Sequence, residues 1–261
     1  MTVWVAGMEM TQDEYVYSIL SKYRLETGPT SPAYQAANAL SPTIRGWAND
    51  ALLGTNLVGS YAKGTGVKGS TDADLFISLK PETNGTLRDI YESLYKYVAG
   101  RGLEARRQNV SIGVKYGGLS FDLIPAKKQP GNTQDHSLFR NKTQTWTQTN
   151  VDTHIKVVRE SGRCDEIRAV KIWRNLNTLE FPSFYLELTV LEALHGKSTN
   201  NPAANVLAVL QYLTKDFEAR VMDPANSNNV VSEDLTKDEK LQVANKASIS
   251  LGKKSWGEII W

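Results

Sequence analysis

The sequence predicts an α+β fold in two parts, a mixed α/β half up to about residue 150 and an all-helical half after it. Short apolar runs at 73–79, 109–114 and 119–124, separated by turn residues, read as strands. Leu87, Ile90, Tyr91, Leu94 and Val98 lie on one face of a helix between the first two of these runs. From Val151 onward only the helical period appears, which gives two stretches, 1–150 and 151–261.

Taken in order, a helical stripe (Tyr15, Ile19, Leu20, Tyr23) predicts a helix over 11–26, broken by Gly28-Pro29-Thr30-Ser31-Pro32. Helical pieces at 32–39 and from Ser41-Pro42 to Leu53 follow, either separate or as one kinked helix. Asn56-Leu57-Val58 is short and apolar and ends at Gly59-Ser60. Lys115-Tyr116-Gly117-Gly118 turns one strand back onto the next, and Pro125 ends the second. Residues 126–150 are polar and aperiodic and read as a long connection. Helices are predicted over 151–161, 165–177, 183–196, 202–220 and 233–250.

The 261 residues are 41% hydrophobic and 22% charged, ordinary values for a soluble globular chain. No apolar run approaches the roughly 20 residues that span a bilayer, and the N-terminus lacks the basic and apolar regions of a signal peptide. One cysteine, Cys164, excludes an intrachain disulfide and disfavours a thiolate zinc site. The chain therefore reads as cytoplasmic, with no membrane partner. Net charge is +2, yet 16 Lys/Arg face 9 Asp/Glu between Arg88 and Arg174. That basic middle suits a polyanion such as a triphosphate or an oligonucleotide, or is simply a solvated surface.

The chemistry concentrates in Val58-GSYAKGTGVKGSTDADLFISL-Lys80. Asp72 and Asp74, at i and i+2 of a strand, point to one face, while Ala73, Leu75 and Ile77 turn into the core. Two carboxylates held so close call for a cation. Leu119-Ser120-Phe121-Asp122-Leu123-Ile124 supplies a third acid, Asp122, on a strand that could lie beside theirs. Three carboxylates can hold two Mg²⁺ or Mn²⁺ ions about 3.5–4 Å apart for phosphoryl transfer. The histidines (His136, His154, His195) lie on unrelated segments without zinc-site spacing. No G-K-[ST] follows Gly64, Gly66 and Gly69, so this is not a Walker A loop.

The order Gly-Ser, Asp-x-Asp, then a later strand aspartate resembles the DNA polymerase β-type nucleotidyltransferase superfamily. GSYAKGT…DADLFI is similar to the segment shared by 2′-5′ oligoadenylate synthetases, bacterial CD-NTases and archaeal-type CCA-adding enzymes. Ala169–Trp173, Phe181–Leu188 and Met222–Val230 resemble their later V-K-x-W, P-x-Y-x-L-E-L and D-P-x-x-P-x-N-N-V segments. Trp146 to His154 resembles W-x-x-T-x-P-x-x-H with its proline missing.

The resemblance implies a polymerase β-like core followed by a helical domain that closes a nucleotide cleft. Asp72, Asp74 and Asp122 are then both metal ligands and catalytic groups. Gly59, Ser60, Lys171 and Ser183 would contact the donor triphosphate, and Phe184 or Tyr185 its base. Ser183 also reads as a helix N-cap, Glu187 as a structural hydrogen-bond partner, and Asn228-Asn229 as ordering a loop. The activity implied is template-independent transfer of a nucleotide from an NTP donor to a nucleotide acceptor. A cyclic or linear oligonucleotide second messenger acting on a downstream effector in antiviral signalling is the first reading. RNA 3′-end addition is the alternative, followed by modification of a drug or protein, and then by a silent nucleotide- or RNA-binding scaffold.

Overall fold

A computed structural model of the chain describes residues 3–5, 8–70 and 72–261. Strands β1 (Val3–Val5) and β2 (Met8–Met10) pair antiparallel ahead of helix α1 (Gln12–Lys22). Thr11 starts α1 through a capping box in which its hydroxyl accepts from the Glu14 amide and the Glu14 carboxylate accepts from the Thr11 amide. The helix stops at Lys22, short of the expected residue 26.

Helix α2 (Pro32–Ala48) is continuous through Pro42. Its apolar seam of Ala33, Ala36, Ala37, Leu40, Ile44 and Ala48 runs unbroken into the core, while Pro42 is exposed where water can serve the freed carbonyl.

Strand β3 (Leu52–Leu57), the short helix α3 (Gly59–Lys63), strand β4 (Ala73–Leu79), helix α4 (Leu87–Ala99) and strands β5 (Ala105–Arg107), β6 (Ile112–Tyr116), β7 (Leu119–Lys128), β8 (His136–Arg140) and β9 (Thr145–Thr149) complete the first half. They build one seven-stranded sheet in the order β3-β4-β7-β6-β5, with β8 added along the end of β7 and β9 beyond it. Among the described residues only the β4–β7 pair is parallel. Helices α2 and α4 cover one face, packing on Leu75, Ile77, Leu79, Ile112, Phe121 and Leu123.

Two expectations fail here. β7 runs on through Pro125, and the supposed connection after it contains the β8–β9 hairpin. Pro125 is tolerated because it lies between the last residue that β6 pairs, Leu123, and the first that β8 pairs, Lys127. The hairpin escapes a hydrophobic-period reading because Thr145, Thr147 and Thr149 fill one side of β9.

Helices α5 (Val151–Glu160), α6 (Cys164–Leu176), α7 (Ser183–Ala193), α8 (Pro202–Lys215) and α9 (Lys237–Leu251) form the second half, close to their predicted spans. A small hairpin of β10 (Met222–Asp223) and β11 (Asn226–Val230) separates the last two. The helical core gathers around Trp173, Tyr185, Leu186, Val206 and Leu210, and Tyr15, Val16, Ile19 and Leu20 of α1 join it from the other end of the chain. Tyr15 and Tyr23 donate hydroxyl hydrogen bonds to the carbonyls of Ile260 and Trp261. Among the described residues no helix is long and apolar enough to cross a membrane.

Trp173 is fully buried and donates its indole N–H to Ser250, tying α6 to α9. Trp173→Ala should cost about 3–5 kcal/mol in a denaturant titration. A loss below about 1 kcal/mol would refute its place at the centre of that core.

Candidate active site

The parallel register sets Asp74 of β4 directly beside Asp122 of β7. Neighbours in register share a face, so both carboxylates stand on the side away from α2 and α4. Alternation buries Ala73, Leu75 and Ile77 beneath them, as the sequence predicted. Asp72 lines a cavity of about 490 Å³ together with Tyr61, Lys68, Ser70 and Ser120.

The Gly-Ser turn is clamped onto this strand. The Val58 amide donates to the Asp74 carbonyl at 2.9 Å. Gly59 adopts φ +57, and a Cβ there would fall 1.9 Å from Asp74 Oδ2. Glycine is required twice over, by the left-handed backbone and by the carboxylate pressed against it.

Behind the turn lies a buried polar cluster drawn from both halves of the chain. Lys171 Nζ of α6 donates to Ser60 Oγ at 2.9 Å, to Thr65 Oγ1 at 3.1 Å and to Glu187 Oε1 at 2.6 Å. Lys63 Nζ reaches the other carboxylate oxygen, Glu187 Oε2, at 2.8 Å, and Thr65 donates to Oε1 at 2.7 Å. Lys171 is thus a buried lysine tied to Ser60, and Glu187 is the hydrogen-bond partner the sequence assigned it to be. Burial alone would raise the Glu187 pKa, but Lys171 and Lys63 outweigh it and hold the carboxylate at about 2.

The remaining predicted contacts stand nearby. Ser183 is the first residue of α7, and its hydroxyl accepts from Arg174 at 3.0 Å; Pro182 occupies the cap position, so the N-cap reading of Ser183 is corrected. Tyr185 is buried in the helical core, stacked on Phe217 with its hydroxyl donating to the Phe217 carbonyl. The ring of Phe184 lies 4.3 Å from Lys63 Nζ and 4.4 Å from the His154 ring.

His154, which the sequence left without a role, bonds Asp223 Oδ1 through Nε2 at 2.7 Å. Asn229 donates to the other Asp223 oxygen and accepts from Arg140, so the β10–β11 hairpin is pinned to the sheet half. Lys63 and Thr65 were also missed, although they follow Ser60 inside the GSYAKGT segment.

The acids bear the marks of a cation site. Burial, the adjacent Asp122 charge and Asp72 lift the Asp74 pKa to about 7, against the pull of Lys63 and Lys171. Burial, then Asp72, raises that of Asp122 as well. Asp122 Oδ1 is buried without a hydrogen-bond partner, a costly condition that a cation or a proton would relieve. Among the described residues no three such side chains close into a ready-made metal cage. Magnesium does not need one, since it is held by one or two carboxylates and completed by substrate phosphates and water. The donor set fits that ion.

Several solved structures share this fold. The chain matches CdnC of E. coli MS115-1, solved in complex with HORMA-deltaN, with a TM-score of 0.70 at 19% identity over 90% of this chain and 88% of that one. It matches CdnG of Bradyrhizobium diazoefficiens, solved with GTP, with a TM-score of 0.69 at 12% identity over 93% and 91%. Against CdnE of Elizabethkingia meningoseptica, a cyclic dinucleotide synthase solved with GTP and Apcpp, the TM-score is 0.66 at 12% identity over 94% and 100%. Likeness at this level shows the fold alone. Residues 10–161 match the Second Messenger Oligonucleotide or Dinucleotide Synthetase domain, and the chain belongs to that family, which makes it a nucleotidyltransferase. No curated protein matches it in sequence.

Two outcomes follow from the charges. With its pKa raised from 3.8 to about 7, Asp74 binds a proton more tightly in the folded than in the unfolded chain. Its contribution is therefore neutral below about pH 4 and increasingly destabilising as pH rises through about 7. In EDTA, Asp74→Asn should gain about 2 kcal/mol at pH 8 and almost nothing at pH 4 by denaturant titration. An equal gain at both pH values would contradict the burial argument. Glu187→Gln leaves two buried lysines sharing no anion and should cost about 3–5 kcal/mol; a neutral change would show that the cluster is not closed.

Proposed function

We propose that this chain is a cytoplasmic, template-independent nucleotidyltransferase that joins NTPs into a cyclic or linear oligonucleotide second messenger for a downstream effector in antiviral signalling. One observation carries the chemistry: Asp74 and Asp122 stand side by side in register, with the Gly59-Ser60 turn pressed against Asp74. The family match supports the product class.

The lobe of residues 1–150 supplies the acids and the turn, and the helical lobe of 151–261 closes over them. The donor triphosphate lies along Gly59 and Ser60. Because Ser60 Oγ accepts from Lys171, its own proton is free to donate to a phosphate oxygen. Two lysines share one glutamate behind the turn, which leaves a net positive charge facing the triphosphate. Ser183 and Phe184, at the start of α7, border the same site. Asp72, Asp74 and Asp122 would hold two divalent cations, magnesium or manganese, which would lower the acceptor hydroxyl's pKa and neutralise charge on the leaving group. Asp122, on the acceptor side, takes the hydroxyl proton on its carboxylate. The deprotonated oxygen bonds to the α-phosphorus, the bond to the bridging oxygen breaks, and pyrophosphate leaves with that electron pair. Raising the pKa of Asp122 makes it a better base for this step.

The test is to incubate the chain with labelled NTPs and Mg²⁺ or Mn²⁺, with and without RNA, and to resolve the products. Pyrophosphate release with small RNase-resistant products is expected, falling at least about 1000-fold in Asp74→Asn. Label transferred to added RNA would replace this reading with 3′-end addition. Undiminished release in the variant would overturn the mechanism.

A further inference from the structure

The sheet lays one residue from each of four strands in a row. Arg106 of β5 is opposite Gly113 of β6, Gly113 is opposite Asp122 of β7, and Asp122 is opposite Asp74 of β4. All four share the face that carries the acids. The next residue, Arg107, turns the other way and is fully engaged, bidentate to Glu92 and 3.6 Å from the centre of the Tyr95 ring. Arg106 makes no ion pair among the described residues.

An unpaired surface arginine usually extends into water. Arg106 is exposed too, but its side chain runs back across the sheet. A Cβ on Gly113 would come within 2.7 Å of Arg106 Nε and 2.8 Å of Gln108 Nε2, so both side chains rest on the bare backbone of Gly113. The missing side chain is what lets the guanidinium approach Asp122. Gln108 also accepts from Ser111 Oγ at 2.8 Å, which fixes one neighbour of the arginine while leaving its fork open.

We propose that Arg106, laid over Gly113, anchors the 5′-phosphate of the acceptor nucleotide and so presents its ribose hydroxyl to Asp122. This rests on the nucleotidyltransferase reading above and adds the acceptor side to it. The chemistry is that of a planar fork meeting a phosphate, which a lysine would not reproduce. The donor is held at the opposite end of the row by Ser60, which Lys171 backs from behind, so the two nucleotides meet over the carboxylates.

Binding is measured without metal and without turnover, using the four nucleoside 5′-monophosphates and the matching nucleosides. The wild-type chain should prefer at least one monophosphate to its nucleoside by about 10- to 100-fold. Arg106→Met should abolish that preference, and Arg106→Lys should keep only part of it. Gly113→Ala is the sharper variant: the methyl group would meet Arg106 from Cγ to Nε and the end of Gln108, all side-chain atoms on the exposed face and none of them backbone, so the guanidinium remains while its position is lost. The preference should collapse there too, with an unchanged melting temperature. No preference in the wild type, or the same preference in Arg106→Met and Gly113→Ala, overturns the proposal. Equal loss of nucleoside and nucleotide overturns it as well, since the contact would then be to base or sugar. Phosphate selectivity with this pattern, but no pyrophosphate release from NTPs and metal, would uphold the anchor and sink the enzymatic reading.

Discussion

A single buried carboxylate, Glu187, joins the two halves of the molecule. It accepts from Lys63, which follows the Gly-Ser turn, and from Lys171 on α6. Each ion pays several kcal/mol to leave water, and the mutual attraction repays it only if every partner is present. Thr65 and Ser60 complete the set by bonding the same groups. The cluster therefore fixes where the turn sits relative to the helical lobe. It also leaves one positive charge unmatched next to Ser60, on the side of the acids. A purely apolar contact could have joined the lobes, but it would have left Asp74 with no nearby cation.

The acids depend on a second constraint, the lone parallel pairing in the sheet. Side chains alternate along a strand, so a slip of one residue between β4 and β7 would send Asp122 into the layer under α2 and α4. Leu75, Ile77, Phe121 and Leu123 hold the register by filling that layer. Core packing on one face thus sets the spacing of the acids on the other. Gly59 belongs to the same arrangement, since any larger residue would displace the Asp74 carboxylate.

These constraints differ in how far the sequence reveals them. Asp72 and Asp74 are legible because their spacing alternates against Ala73 and Leu75, and Asp122 because its strand is otherwise apolar. The helices after Val151 are legible from their period. The β8–β9 hairpin is not, because Thr145, Thr147 and Thr149 stand where a periodic reading looks for apolar residues. Lys63 and Glu187 are 124 residues apart and meet only in the fold; nothing local marks a lysine as buried. His154 and Asp223 each sit in a segment that resembles a family motif, but their bond at 2.7 Å is a property of the pair, invisible in either segment alone. Pro125 misleads for a related reason: whether a missing N–H matters depends on which neighbouring strand lies beside it.

Charge along the row shows why so many titratable groups can share a small space. Lys63, Lys171 and Glu187 leave one positive charge at one end, and Arg106 supplies another at the far end. Between them stand three aspartates, so the protein groups together carry one net negative charge when all are ionised. On the proposed function, magnesium-bound triphosphate would enter as a nearly compensated unit, and the balance of the site would hardly change when it bound. What would change is where the charges lie. Cations would take the place of the proton that Asp74 partly holds near neutral pH, and the phosphates would take up the lysine charge that has none to face. A site built this way would bind its substrate by exchanging one set of counter-ions for another, which keeps the acids tolerable before the substrate arrives and fully ionised once it has.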